Sequence, residues 1–124
     1  MKLRIARHTN SLKTLVEFYT NILGLQLLGN FKDHAGYDGV FIGKKELDWE
    51  LEFTQSSSKA DHDFDEDDIL VFYPATIEEF VEMNEKIKSQ QINLIKPKNP
   101  YWVENGIMFL DPDGYRVVIS GVKI

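Results

Sequence analysis

The chain reads as two copies of one pattern: a short alternating run, an amphipathic helix, then three more apolar runs. Leu3 to His8 alternates, with Leu3 and Ile5 on one face and Arg4, Ala6 and His8 on the other, as a strand requires. Leu12, Leu15, Val16, Phe18, Tyr19, Ile22 and Leu23 then recur at helical spacing and make one broad apolar face. Asn10 or Ser11 supplies the N-cap oxygen, and Gly24 stands where a left-handed C-terminal cap belongs. Strands are expected at Leu25 to Phe31, Val40 to Gly43 and Trp49 to Thr54, with Lys32 to Gly39 as a loop between the first two. Trp49 and Phe53 alternate with Glu50 and Glu52, so the two aromatics are expected beneath the helix.

The order then repeats. Ile69 to Tyr73 predicts a strand, and Ile77, Phe80, Val81, Met83 and Ile87 predict a helix. Three closing strands follow at Ile92 to Ile95, Gly106 to Leu110 and Tyr115 to Ile119, the last two joined by Asp111-Pro112-Asp113-Gly114, a strong turn signal. Leu15, Phe18 and Ile22 in the first helix answer Phe80, Met83 and Ile87 in the second with equal gaps. Between the halves, residues 56–67 are polar and acidic and read as a solvated linker; they lack the glycine and spacing of a calcium loop. The expected architecture is α+β, with one module over residues 1–55 and a second over 68–124. A four-stranded sheet with one helix leaves a face uncovered, so two curved sheets are expected to enclose a cavity, a natural small-molecule site.

Composition narrows the chemistry. At 124 residues the chain fits one domain of two modules. Twenty acidic against fourteen basic residues give a net charge of −6, which repels phosphate backbones and anionic membranes, so no nucleic-acid or membrane partner is expected. With no cysteine, disulfides, thiolate metal sites and cysteine nucleophiles are excluded. No run approaches a transmembrane helix and the N-terminus lacks a signal-peptide pattern, so a cytoplasmic location is the default expectation. Neither a serine elbow nor a phosphate or dinucleotide loop occurs.

Two motifs carry a family resemblance. Leu15-Val16-Glu17-Phe18-Tyr19-Thr20-Asn21-Ile22-Leu23-Gly24-Leu25 is similar to the "FY…LG" helix of the vicinal-oxygen-chelate superfamily, and Phe109-Leu110-Asp111-Pro112-Asp113-Gly114 resembles its closing "F-x-DPDG" hairpin. That superfamily includes glyoxalases, bleomycin-resistance proteins and extradiol dioxygenases. The resemblance implies paired βαβββ modules, frequent homodimers and a cavity that often holds a divalent metal. It does not by itself imply an activity.

Carried over residue by residue, the superfamily's four ligand positions fall at Arg4, Glu52 (or Glu50 one register step away), Asp68 and Val118. Arginine has no acceptor and valine no polar atom, so the resemblance implies a site without its usual metal. Arg4 is then a candidate fixed cation in the metal's place, paired with Glu52 and able to hold an anionic or carbonyl oxygen. His8 is the one plausible general base by its ordinary pKa, and His8, Glu50 and Glu52 compose an alternative metal triad. Lys98 to Gly106 reads as a loop whose adjacent Tyr101 and Trp102 form either a cavity wall or a core plug. The expected function is binding of a small organic molecule without a cofactor. A metal-dependent glyoxalase-like lyase or dioxygenase, and an antibiotic-sequestering protein, stand as alternatives.

Overall fold

A computed structural model describes residues 1–123 as two compact units, Met1–His62 and Asp63–Ile124. In the first, β1 (Leu3–His8), α1 (Leu12–Asn21), β2 (Gln26–His34), β3 (Tyr37–Gly43) and β4 (Trp49–Gln55) follow in order. Their sheet runs β1-β4-β3-β2, with β1 parallel to β4 and the other pairs antiparallel. The second unit repeats this with β5 (Ile69–Phe72), α2 (Ile77–Ser89), β6 (Leu94–Ile95), α3 (Pro100–Asn105), β7 (Gly106–Leu110) and β8 (Arg116–Ser120), in the order β5-β8-β7-β6. The fold is α+β, two βαβββ modules of one design, the second with an added helix. No helix among the described residues is long and apolar enough to cross a membrane.

Helix α1 starts where Ser11 Oγ accepts the Thr14 N–H (3.3 Å), which satisfies one of the donors a helix start leaves free. It ends at Asn21 with Ile22 as its C-cap, and Gly24 just beyond, at a φ of +66°, lets the chain double back so that the Leu25 N–H reaches the Tyr19 carbonyl (3.2 Å). Leu15 and Tyr19 are wholly buried, and the Tyr19 ring lies 5.2 Å from that of Phe53 on β4. Phe53 therefore packs beneath the helix as the alternation requires. The opposite strand face carries Glu50, Glu52 and Thr54.

Three local features differ from the sequence expectation. The expected loop at 32–39 is mostly strand: β2 and β3 run on to His34 and Tyr37 and turn on Ala35 and Gly36, both at positive φ. A two-residue turn with both φ positive matches strand twist, so the hairpin tightens instead of looping. The expected loop at 98–106 contains α3, capped by Asn99, whose Oδ1 accepts the Tyr101 N–H (3.0 Å), with Pro100 in the first turn.

The third difference is the connecting segment, which lacks regular structure but is not a free solvated linker. Ala60 N–H donates to Asn10 Oδ1 (2.8 Å), and His62 Nε2 donates to the His8 carbonyl (2.6 Å). Farther on, Phe64 packs on Tyr115 (ring centroids 4.6 Å). Contacts with Asn10, the His8 carbonyl and Tyr115 hold this polar run in place.

In the second unit the Asp111 carboxylate shapes the last turn. Its Oδ1 accepts the N–H groups of Asp113 (2.9 Å) and Tyr115 (3.0 Å), while Gly114 takes a φ of +88°.

Candidate functional site

The face of the first sheet turned away from α1 collects most of the candidate side chains. The parallel β1–β4 register sets Arg4 opposite Glu50, Ala6 opposite Glu52 and His8 opposite Thr54. On the other side of β4, Glu50 faces Gly43 and Glu52 faces Phe41. One row across the sheet is therefore Arg4, Glu50 and Gly43. A Cβ on Gly43 would sit 3.3 Å from that of Glu50, so the glycine leaves the carboxylate room.

Arg4 is forked onto Glu50, not chiefly onto Glu52. Its Nε and Nη2 both donate to Glu50 Oε1, at 2.8 and 2.6 Å, while Nη1 lies 3.5 Å from Glu52 Oε1. Lys2 Nζ approaches the second Glu50 oxygen at 3.3 Å. The expected Arg4–Glu52 ion pair is present as the longer contact, and Glu50, the register alternative, is the closer partner. Glu50 is almost fully buried whereas half of the Arg4 side chain is exposed. The Arg4 hydrogen bond holds the Glu50 carboxyl below the ordinary carboxylate range, against burial, which pushes it up; Lys2 also lowers it.

Aromatic rings complete this face. The Arg4 guanidinium lies over the Phe41 ring, 4.4 Å from its centroid, and Phe41 adjoins Phe31 at 5.7 Å. Phe31 lies flat across Gly39, where an added Cβ would fall 2.2 Å from the ring. Sequence reasoning missed Phe31 and Phe41. Their signal was the alternation of Phe41 with Val40 and Ile42, which turns it to the Arg4 face.

His8 lies on the same face, four residues along β1 from Arg4 and so about 13 Å away. Its Nε2 is 3.1 Å from the Ser58 carbonyl, which only accepts, so Nε2 bears the proton. In the neutral ring Nδ1 then accepts the Thr54 hydroxyl (2.8 Å). Both nitrogens are thus engaged, Nδ1 with β4 and Nε2 with the connecting segment.

The remaining candidates belong to the second unit. Trp102 is 7% exposed and clusters with Met108 and Val118, against Ile69, Val71 and Ile95, as a core plug does. Tyr101 beside it is half exposed (ring centroids 4.8 Å apart). Asp68 is exposed just before β5, its Oδ2 accepting the Asp65 N–H at 3.3 Å. Val118 is wholly buried among apolar groups. These positions do not fit a cation. Arg4 offers only donors, Val118 offers nothing, and both Glu50 oxygens and Glu52 Oε1 already face basic groups. Among the described residues no group of three or more His, Asp or Glu side chains is placed to hold a metal ion.

Comparison with known proteins places the chain among relatives. The YycE-like N-terminal domain family matches residues 3–54, and the YycE-like C-terminal domain family matches residues 67–121. The uncharacterized protein YycE of Bacillus subtilis (strain 168) is 37% identical over 126 residues, covering 98% of this chain and 88% of that protein. A crystal structure of a Bacillus subtilis YycE protein superimposes with a TM-score of 0.87 at 38% identity, covering 99% of this chain and 90% of that one. Two more distant structures share the fold. The trypanothione-dependent glyoxalase I of Leishmania major gives a TM-score of 0.74 at 18% identity, over 97% of this chain and 85% of its own. The fosfomycin resistance protein FosX of Listeria monocytogenes, complexed with Mn(II) and a dihydroxypropylphosphonic acid, gives 0.69 at 18% identity, over 98% and 91%.

Proposed function

Since the chain belongs to the YycE-like family, within the vicinal-oxygen-chelate superfamily, we propose that it binds a small organic molecule on the Arg4 face of its first sheet, without a metal. The observation that carries this reading is the Arg4 fork. A guanidinium held on Glu50 at 2.6 and 2.8 Å, and laid over Phe41, is a cation fixed in position. The motif resemblance sets the superfamily's first metal-ligand position at about this residue.

Chemistry follows from the donor set. Glu50 takes Nε and one Nη2 hydrogen, and Glu52 lies near Nη1. The remaining N–H groups can donate to a ligand oxygen, while Phe41 and Phe31 offer ring faces to its planar part. Lys2 and Arg4 balance Glu50 and Glu52, so a neutral molecule with a carbonyl suits the site as well as a carboxylate does. A guanidinium cannot generate a metal-bound hydroxide, so this site binds and polarises; it does not activate water as a Lewis acid would.

The test is a fragment screen by NMR in excess chelator, using planar aromatic aldehydes, ketones and carboxylates. Hits should perturb Arg4, Phe31 and Phe41 and disappear in folded Arg4→Ala. Hits that require added manganese, nickel or zinc would overturn the reading. The superfamily's habit of pairing also suggests a homodimer, for which light scattering should give twice the 14.4 kDa chain mass.

A further inference from the structure

The second unit holds a basic pocket that the Arg4 site does not involve. Of the 34 charged residues of the chain, the segment from Asp63 onward carries twelve acids and only six bases. Three of those six bases, Lys96, Lys98 and Arg116, line one recess of about 480 Å³. Ile95 and Pro97 form its apolar part, and Glu66 is its one acid. The fold brings them together. Ile95 ends β6 and Arg116 begins β8, and Pro97, itself buried, separates the two lysines.

The distances show a cation set without a close anion. Glu66 reaches Arg116 Nη2 at 3.9 Å and Lys98 Nζ at 4.0 Å, one carboxylate oxygen toward each. The other Arg116 contact, from Nη1 to the Asp65 carbonyl, is 3.4 Å long. Well-made guanidinium–carboxylate bonds are about 2.7–2.9 Å, as Arg4–Glu50 is in this same chain. Yet the Arg116 side chain is only 20% exposed whereas that of Glu66 is 62% exposed. A partly desolvated guanidinium calls for a close anion, and Glu66 touches it only loosely.

We propose that this pocket binds a small oxyanion bearing two negative charges, with Arg116 as the forked donor and Lys96 and Lys98 as flanking charges. Glu66 holds the place loosely and moves aside when the oxyanion enters. Inorganic phosphate and short dicarboxylates share the required chemistry: a compact double charge with oxygens spaced to meet a guanidinium and two ammonium groups.

The test titrates the ¹⁵N-labelled chain with inorganic phosphate and, separately, with malonate, using chloride at matched ionic strength as the control. Saturable shifts at Glu66, Lys96, Lys98 and Arg116 with either dianion are expected, and the better arm identifies the anion geometry. Arg116→Gln should weaken binding at least tenfold. Lys98→Gln, an exposed change that leaves the fold intact, should weaken it severalfold even if Arg116→Gln fails to fold. Glu66→Gln should strengthen it, because the competing carboxylate is gone. Shifts that match chloride, or saturable binding unchanged in Lys98→Gln and unimproved in Glu66→Gln, would overturn the proposal.

Discussion

The two units put opposite chemistry on the same architectural row. Across the first sheet run Arg4, Glu50 and Gly43; across the second, on the same strand sequence of edge, centre and third strand, run Val71, Val118 and Met108. In the first unit a buried carboxylate is kept ionised by Arg4 and Lys2. In the second the row is apolar and Trp102 of α3 is laid on it. Gly106 makes that possible, because a Cβ there would meet the Ile119 carbonyl at 2.9 Å and the Trp102 ring at 3.2 Å. A βαβββ module can thus close its row by packing or leave it polar. The polar version keeps N–H donors at the surface, at the cost of needing its charges paired.

Exchanging the chemistry of the rows should break this comparison most severely. Val118→Glu places a carboxylate among Met108, Trp102 and Val71 with no cation beside it, and should cost about 4 kcal/mol or more. Urea denaturation checks this; a loss below 1 kcal/mol would mean the second row is open to charge. Trp102→Ala empties the plug and should cost about 3–5 kcal/mol by the same measurement.

Arg4→Ala should cost less, about 1–3 kcal/mol. A fully buried pair loses more when broken, but half of Arg4 is exposed and Lys2 still faces Glu50. The acid dependence sharpens this. Because the folded pKa of Glu50 lies below its unfolded value, the pair's stabilisation is fully present above about pH 4.3 and is lost as pH falls through the lower folded pKa. Thermal melts between pH 6 and pH 3 should therefore converge for wild type and Arg4→Ala. Curves that stay parallel would contradict the Glu50 assignment.

The smallest effect concerns the connecting segment. His62→Ala removes the donor to the His8 carbonyl and should cost about 1 kcal/mol. Hydrogen exchange should report faster opening of residues 56–62 with little change in β3.

How far the sequence reveals this contrast differs by feature. The module order, the Gly24 helix exit and the Asp111 turn are legible because each rests on local chemistry: periodicity, a positive φ, a side chain accepting nearby N–H groups. The Arg4 partner is not legible, since Glu50 and Glu52 are two residues apart on one strand face and the period of two cannot choose between them. Only the β1–β4 register, a long-range property, selects Glu50. Helix α3 was legible in Asn99-Pro100, an N-cap followed by proline at the first helical position, but the paired aromatics after it suggest a loop wall more readily than a plug. The anchoring of residues 56–62 was hidden because its donors and acceptors, among them Asn10 and the His8 carbonyl, lie some fifty residues away.

If Arg4 takes the place of a metal ion, as proposed, metal retention tests that most directly. Purified protein incubated with one equivalent each of manganese, nickel and zinc, then desalted, should carry well under one-tenth of an equivalent of each by elemental analysis. Its melting temperature should be the same with and without chelator. One equivalent retained by wild type and lost in Glu52→Gln would contradict the account.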